Sequence, residues 1–177
     1  MGVRRKCFVS YHHADQAYVD TFIRTHDHAN DCFIARGLGR EMPGDVVGSR
    51  NTDYVMSRIR QLYISDSTVT IVMLGANTWR RRYVDWEIAS SLRRSSLSSP
   101  NGLIGIKLPT FSGKFPYRLD DNLIAPGSTQ ADCYARWYDY GITVGSLEYA
   151  IEEAYQRRTS HSQWIRNSRE RLVNNIA

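Results

Sequence analysis

No apolar run in the 177-residue sequence approaches the roughly 20 residues that a membrane-spanning helix needs. Cysteine is scarce and odd in number. Cys7, Cys32 and Cys133 lie far apart, two of them within apolar runs, so the spacing suits neither a disulfide framework nor a zinc site. Reduced, buried thiols are expected. The familiar phosphate motifs are missing too. Gly37-Leu38-Gly39 begins like a dinucleotide fingerprint, but the third glycine position falls on Met42, and the segment follows the second predicted strand rather than the first. There is no Walker-type Gly-Lys-Ser/Thr and no Gly-x-Ser-x-Gly elbow. A phosphoacceptor receiver would carry acids after the first strand and an Asp after the third, where His12-His13 and Gly75-Ala76 stand. No cysteine has an evident histidine partner, so acyl transfer is not suggested. His12-His13 and His26-Asp27-His28 flank a predicted helix of about 11 residues, which sets them roughly 16 Å apart. No metal site is expected.

What is present reads as one soluble globular domain, with 42% hydrophobic and 23% charged residues. Met1 to Lys6 runs directly into a strand-like segment without a signal or anchor pattern, so a cytoplasmic location is expected. The formal charge of +5 gathers at Arg80-Arg81-Arg82, Arg93-Arg94, Arg157-Arg158 and the tail residues Arg166, Arg169 and Arg171. Such a surplus suits anionic partners and equally suits solvated helix faces. The basic tail lacks interleaved aromatics, so nucleic acid is not an expected partner.

Short apolar segments at 6–11, 31–36, 68–74 and 103–108 read as strands, and an aromatic-rich stretch at 134–140 reads as a fifth, edge strand. Helical spacing covers 14–25, 51–63, 83–94 and 144–158, and 162–176 is expected to continue or follow the last helix. The run Thr68 to Leu74 has no polar alternation, which requires cover on both faces. Alternating strands and helices imply a doubly wound parallel sheet of about five strands, flavodoxin-like in class. Ligands collect at the carboxyl ends of such strands, which places Ser10 to Ala14, Arg36 to Asp45 and Gly75 to Trp79 on one rim.

The densest chemistry lies in Asn77-Thr78-Trp79-Arg80-Arg81-Arg82-Tyr83-Val84-Asp85-Trp86-Glu87-Ile88. Val84 and Ile88 are expected to face the core. Tyr83 and Glu87, also four apart, sit one position round on the border of that face, where Glu87 is partly desolvated. For an isolated Glu, a place in an early turn is also explained by the helix dipole.

Phe8-Val9-Ser10-Tyr11 followed by Asp15 resembles the opening strand and loop of TIR domains, and Ser65-Asp66-Ser67 resembles the lead into a later strand. Tyr83-Val84-Asp85-Trp86-Glu87-Ile88 resembles the segment that carries the catalytic glutamate of NAD⁺-consuming TIR domains. With Gly75-x-Asn77-Thr78-Trp79, Arg118-Leu119-x-Asp121-Asn122 and Tyr134 to Tyr138, the likeness is to the TIR-like proteins of the Thoeris antiphage system, the ThsB type. It covers about residues 5 to 140.

The resemblance implies one TIR-like domain over 1–177, with a core at about 5–158 and a C-terminal helical extension at about 159–177. It further implies cleavage of the nicotinamide N-glycosidic bond of NAD⁺, which is substrate and not a cofactor, and formation of a cyclic ADP-ribose-type signal. Glu87 becomes the catalytic carboxylate, with Tyr11, His12, His13, Asn77, Thr78, Trp79 and Tyr83 as substrate-binding candidates. Trp86 is a further stacking candidate, and one or two of Arg80 to Arg82 are candidates for the diphosphate. Asp45 and Arg40-Glu41 fall in the loop that gates the site and mediates assembly in TIR domains. The implied partners are a separate effector activated through the nucleotide product, a phage-derived trigger and further copies of the chain. Two other readings stand beside the enzyme: a non-catalytic TIR-like scaffold for protein assembly, and a nucleotide- or nucleic-acid-binding module.

Overall fold

The computed structural model of the chain describes residues 3–38, 44–96, 98–123 and 133–177. Every residue of Val69–Leu74 is buried, as an apolar run without polar alternation requires. Its side chains feed two cores. Val69, Ile71 and Met73 join one cluster, and Val72 and Leu74 join another on the opposite face. This strand, β3, is the centre of a five-stranded sheet ordered β2-β1-β3-β4-β5, with β1 at Arg5–Ser10, β2 at Phe33–Arg36, β4 at Gly102–Lys107 and β5 at Arg136–Asp139. All four pairings are parallel. The expected edge strand is present.

On one face lie α1 (Gln16–Ile23) and α6 (Val144–Ser160), which contribute Val19, Phe22, Leu147 and Ile151 to the first cluster. On the other lie α3 (Thr52–Ile59) and α4 (Arg82–Leu92), with the short helices α2 (Gly44–Gly48) and α5 (Tyr117–Asp120) at the margins. Asn51 caps α3 by accepting the Tyr54 N–H at 3.1 Å. The helices α1 and α3 each run on through a wider turn, closed by Ala29 N–H to Arg24 O and by Ser65 N–H to Arg60 O. The architecture is the flavodoxin-like, TIR-like doubly wound α/β fold. Its strand order reverses between β1 and β3, so the crevice at their carboxyl ends is the natural ligand site.

The tail departs from expectation. The last long helix ends at Ser160, one 3₁₀ turn follows at Ser162–Trp164, and the residues beyond form no helix. The segment Asn167-Ser168 and Asn174-Asn175 is poor in helix formers, and its backbone groups find partners elsewhere. Leu172 N–H donates to Asp85 at 2.8 Å, Leu172 O accepts from Trp86 Nε1 at 2.7 Å, and Ile176 N–H donates to Arg80 O at 3.0 Å. The tail is a strap laid over α4. Among the described residues, no helix is long and apolar enough to cross a membrane.

Candidate active site

The site is set by where α4 turns its polar side chains. At 100° per residue, Tyr83, Trp86 and Ala89 fall on one side and Val84, Ile88 and Leu92 on another, and the structure places these triplets in two different clusters. Glu87 and Ser91, four apart, lie between the two and face the sheet. Ser91 Oγ meets Thr70 Oγ1 of β3 at 2.7 Å. Glu87 meets β1, where its Oε2 accepts from Ser10 Oγ at 2.5 Å. The glutamate therefore points at the carboxyl end of β1, next to the switch in strand order, and is half-buried there, as its place on the border of the apolar face implies.

Glu87 carries no counter-charge. Among the described residues it makes no ion pair, and the Ser10 hydroxyl is its hydrogen-bond partner. Burial pushes its carboxyl up to about 7, against the smaller opposing effect of the Ser10 bond. Desolvation of an acid without a cation destabilises its charged form, so folding alone does not favour such an arrangement. Perturbed carboxyls of this kind in a rim position mark functional sites.

The loop after β1 is fastened to the turn after β3. The Asp15 carboxylate presses against Gly75 so closely that a Cβ there would lie 2.2 Å from Asp15 Oδ2. Any larger residue there would have to push the Asp15 carboxylate aside. Burial raises the Asp15 carboxyl, while hydrogen bonds from Thr110 and Thr78 act the other way. Thr78 is buried and closes its own turn, accepting the Gly75 N–H at 2.9 Å and lying 3.2 Å from Met73 O.

A scan against protein families matches the model described as the Thoeris protein ThsB, TIR-like domain, over residues 8–112, more than half of the chain. The chain belongs to that family. No curated protein matches it.

The matched span of this TIR-like domain holds the rim loops, β3 and all of α4, so the site lies within it. Of the residues singled out in the sequence, Glu87, His12 and Thr78 gather at the carboxyl ends of β1 and β3. His12 is buried, its Nδ1 accepting the Ala14 N–H at 3.2 Å. Burial, together with the charges of Arg81, His13 and Arg80, lowers its imidazole to about 4. It is a neutral ring at physiological pH and no phosphate cation. His13 is exposed and packs edge-on against it. Tyr11 leans away towards α1, donating to Gln16 Oε1 at 2.8 Å. Asn77 precedes the 3₁₀ turn Thr78–Arg80, and its carbonyl accepts from Arg80 N–H at 3.3 Å.

The aromatics are directed elsewhere. Trp79 packs on Tyr117 with Lys114 over its ring. Tyr83 packs edge-on against Trp86 in the cluster with α3. Trp86, a stacking candidate in the sequence, is 2% exposed and bound to the strap. It is a core residue, not a platform for a base. Arg40 and Glu41 lie outside the described residues. Asp45 accepts from Tyr54 Oη at 2.5 Å and pairs with Arg58 at 3.8 Å.

The sequence reading missed two partnerships. Ser10 was visible only as the polar end of an apolar strand, and its role depends on α4 returning to β1 some 77 positions later. Cys32 does have a histidine partner, with Sγ 3.9 Å from His26 Nδ1. Burial raises the Cys32 thiol and lowers the His26 imidazole, so neither is set up as a nucleophile or base. Among the described residues no group of His, Cys, Asp and Glu is arranged to hold a metal.

Proposed function

We propose that this TIR-like domain consumes NAD⁺ as substrate, breaking the nicotinamide N-glycosidic bond with Glu87 as the catalytic carboxylate. The observation that carries the reading is Glu87 itself: a desolvated carboxyl aimed at the strand-order switch point, held among the described residues by one hydroxyl and neutralised by no cation. A scaffold has no use for an acid whose burial weakens the fold.

The chemistry follows from that environment. When the C1′–N1 bond breaks, its electron pair leaves with the ring and nicotinamide departs neutral, so no general acid is obligatory. The ribose is left as an oxocarbenium ion. An ionised Glu87 accepts hydrogen bonds from ribose hydroxyls and stabilises the developing positive charge. The pyridinium of bound NAD⁺ favours the ionised form of its carboxylate neighbour, so substrate itself draws Glu87 into its working state. Capture of the cation by water gives ADP-ribose, and capture by a group of the same nucleotide gives a cyclic ADP-ribose-type product.

In the cell, such a product acts as an antiphage signal to a separate effector, formed in the cytoplasm after a phage-derived trigger. Lysates of infected cells carrying wild type or Glu87→Gln, compared by mass spectrometry, test the reading. Wild type is expected to lose NAD⁺ and gain a new ADP-ribosyl nucleotide, and the variant at least 10³-fold less, worth about 4 kcal/mol in the barrier. Identical lysates across several phages would sink the enzyme and favour a non-catalytic assembly role.

A further inference from the structure

Three consecutive arginines precede and open α4, and the fold commits them differently. Arg82 is bound to the strap and its neighbours. It donates to Val173 O at 3.0 Å and to Tyr83 Oη at 2.9 Å, and lies over the Tyr83 and Trp86 rings. Arg80 gives its carbonyl to the strap at Ile176. Arg81 caps α4 through its main chain, with N–H to Thr78 O at 3.2 Å and its carbonyl accepting from Asp85 N–H at 3.2 Å.

The Arg81 side chain is different in kind. Its Nε is buried and has no acceptor. Arg58 and Arg157 also bury an unbonded Nε, but each of those guanidiniums is bound through another nitrogen, Arg58 to Gln61 and Arg157 to Cys133 O. Arg81 makes no side-chain hydrogen bond and no ion pair among the described residues. A buried polar group left unpaired calls for a missing partner.

Its position says what kind. Arg81 is a charge neighbour of the His12 ring, and His12 follows Ser10 by two residues on the same rim. One unpaired cation and one unpaired carboxyl therefore flank the carboxyl end of β1. Arg81 and Glu87 stand six residues apart, a rise of about 9 Å along the helix, and make no ion pair among the described residues. A ligand with separated opposite charges fits that pair. Guanidinium is the side chain best matched to phosphate oxygens, through its planar fork of donors.

We propose that Arg81 is the diphosphate-binding residue of the Glu87 site, donating to the phosphate oxygens of a dinucleotide whose ribose end meets Glu87. This rests on the NAD⁺ reading above and singles out Arg81 by its buried, unbonded Nε; Arg80 is also a charge neighbour of His12 but buries no unbonded side-chain nitrogen. Arg82 belongs to the strap.

ADP-ribose, which carries the diphosphate but is not cleaved, is the probe. Its binding to wild type, Arg81→Ala, Arg81→Lys and Arg82→Ala is measured by calorimetry at fixed salt. Arg81→Ala is expected to weaken binding at least 10-fold, Arg81→Lys to recover part of it, and Arg82→Ala to stay within about threefold. Because the Arg81 side chain has no partner among the described residues, the unliganded Arg81→Ala protein should melt no lower than wild type, which separates a binding defect from misfolding. If Arg81→Ala binds as wild type does, the inference fails while the NAD⁺ reading stands. If wild type itself does not bind ADP-ribose, the inference also fails, and the Glu87→Gln lysate comparison then decides whether the broader reading falls with it.

Discussion

Asp85 and Glu87 are two acids two residues apart on one helix, and the fold treats them in opposite ways. Two residues turn a helix by about 200°, so one carboxylate faces outward to the strap and the other inward to the sheet. Asp85 is buried beneath the strap and fully provided for. Arg118 Nε donates to it at 2.8 Å, Leu172 N–H donates at 2.8 Å, and Arg118 in turn binds Asn167 and Glu170 O. Glu87 has, among the described residues, a single hydroxyl. The same residue chemistry is a structural rivet on one side of α4 and an unneutralised charge on the other. The contrast, more than burial alone, separates a group kept for the fold from one kept for chemistry.

The largest effect should come from breaking the rivet. Arg118→Met leaves the Asp85 charge buried without its cation and releases the strap carbonyls, and is expected to cost about 3–5 kcal/mol in urea unfolding. Asp85→Leu with Arg118→Met should recover much of the loss, since an apolar pair of similar volume pays no desolvation. A cost under about 1 kcal/mol for the single variant would show that the strap, and not the ion pair, holds that side of α4.

Glu87 should behave in the opposite sense. Its native carboxyl keeps the proton up to about pH 7, whereas the unfolded chain releases it near 4.5. Between those values the native state binds more protons, so the contribution of Glu87 to stability falls as pH rises from about 4.5 to 7. Glu87→Gln has no charge to bury. It should be more stable than wild type by about 1–3 kcal/mol above pH 7 and match it below pH 4.5. A thermal-melt series across that range checks this, and a difference that does not change with pH would break the comparison.

How far the sequence reaches depends on how local each feature is. β3 was legible because its run is β-branched and apolar almost throughout, and the β5 edge from the aromatic-rich stretch at 134–140, which the structure shows as a half-exposed strand at Arg136–Asp139. Glu87 was legible from its spacing with Val84 and Ile88 and from the resemblance of the segment around it. The strap was not, because Arg166 to Ala177 carries enough apolar residues to read as a helix, while the groups that draw it flat lie some 50 to 90 positions away, at Arg118, Asp85 and Arg82. For the same reason Trp86 stood as a stacking candidate, although helix rotation turns it away from the site.

The finest test concerns Ser10, the one group that moderates Glu87. Its hydroxyl favours the ionised carboxylate and so works against burial. Ser10→Ala removes that bond with almost no change in volume, so the Glu87 carboxyl should rise further, by up to about one unit. If catalysis needs the carboxylate, the acidic limb of the pH–rate profile, expected near 7 in wild type, moves upward by the same amount. Turnover at pH 6.5 then drops several-fold, while turnover near pH 9, where both proteins are ionised, stays close to wild type. An equal loss at both pH values would assign Ser10 a role in holding the position of Glu87. An unmoved acidic limb with normal rates would mean that bound substrate, through its pyridinium charge, sets the ionisation of Glu87 unaided.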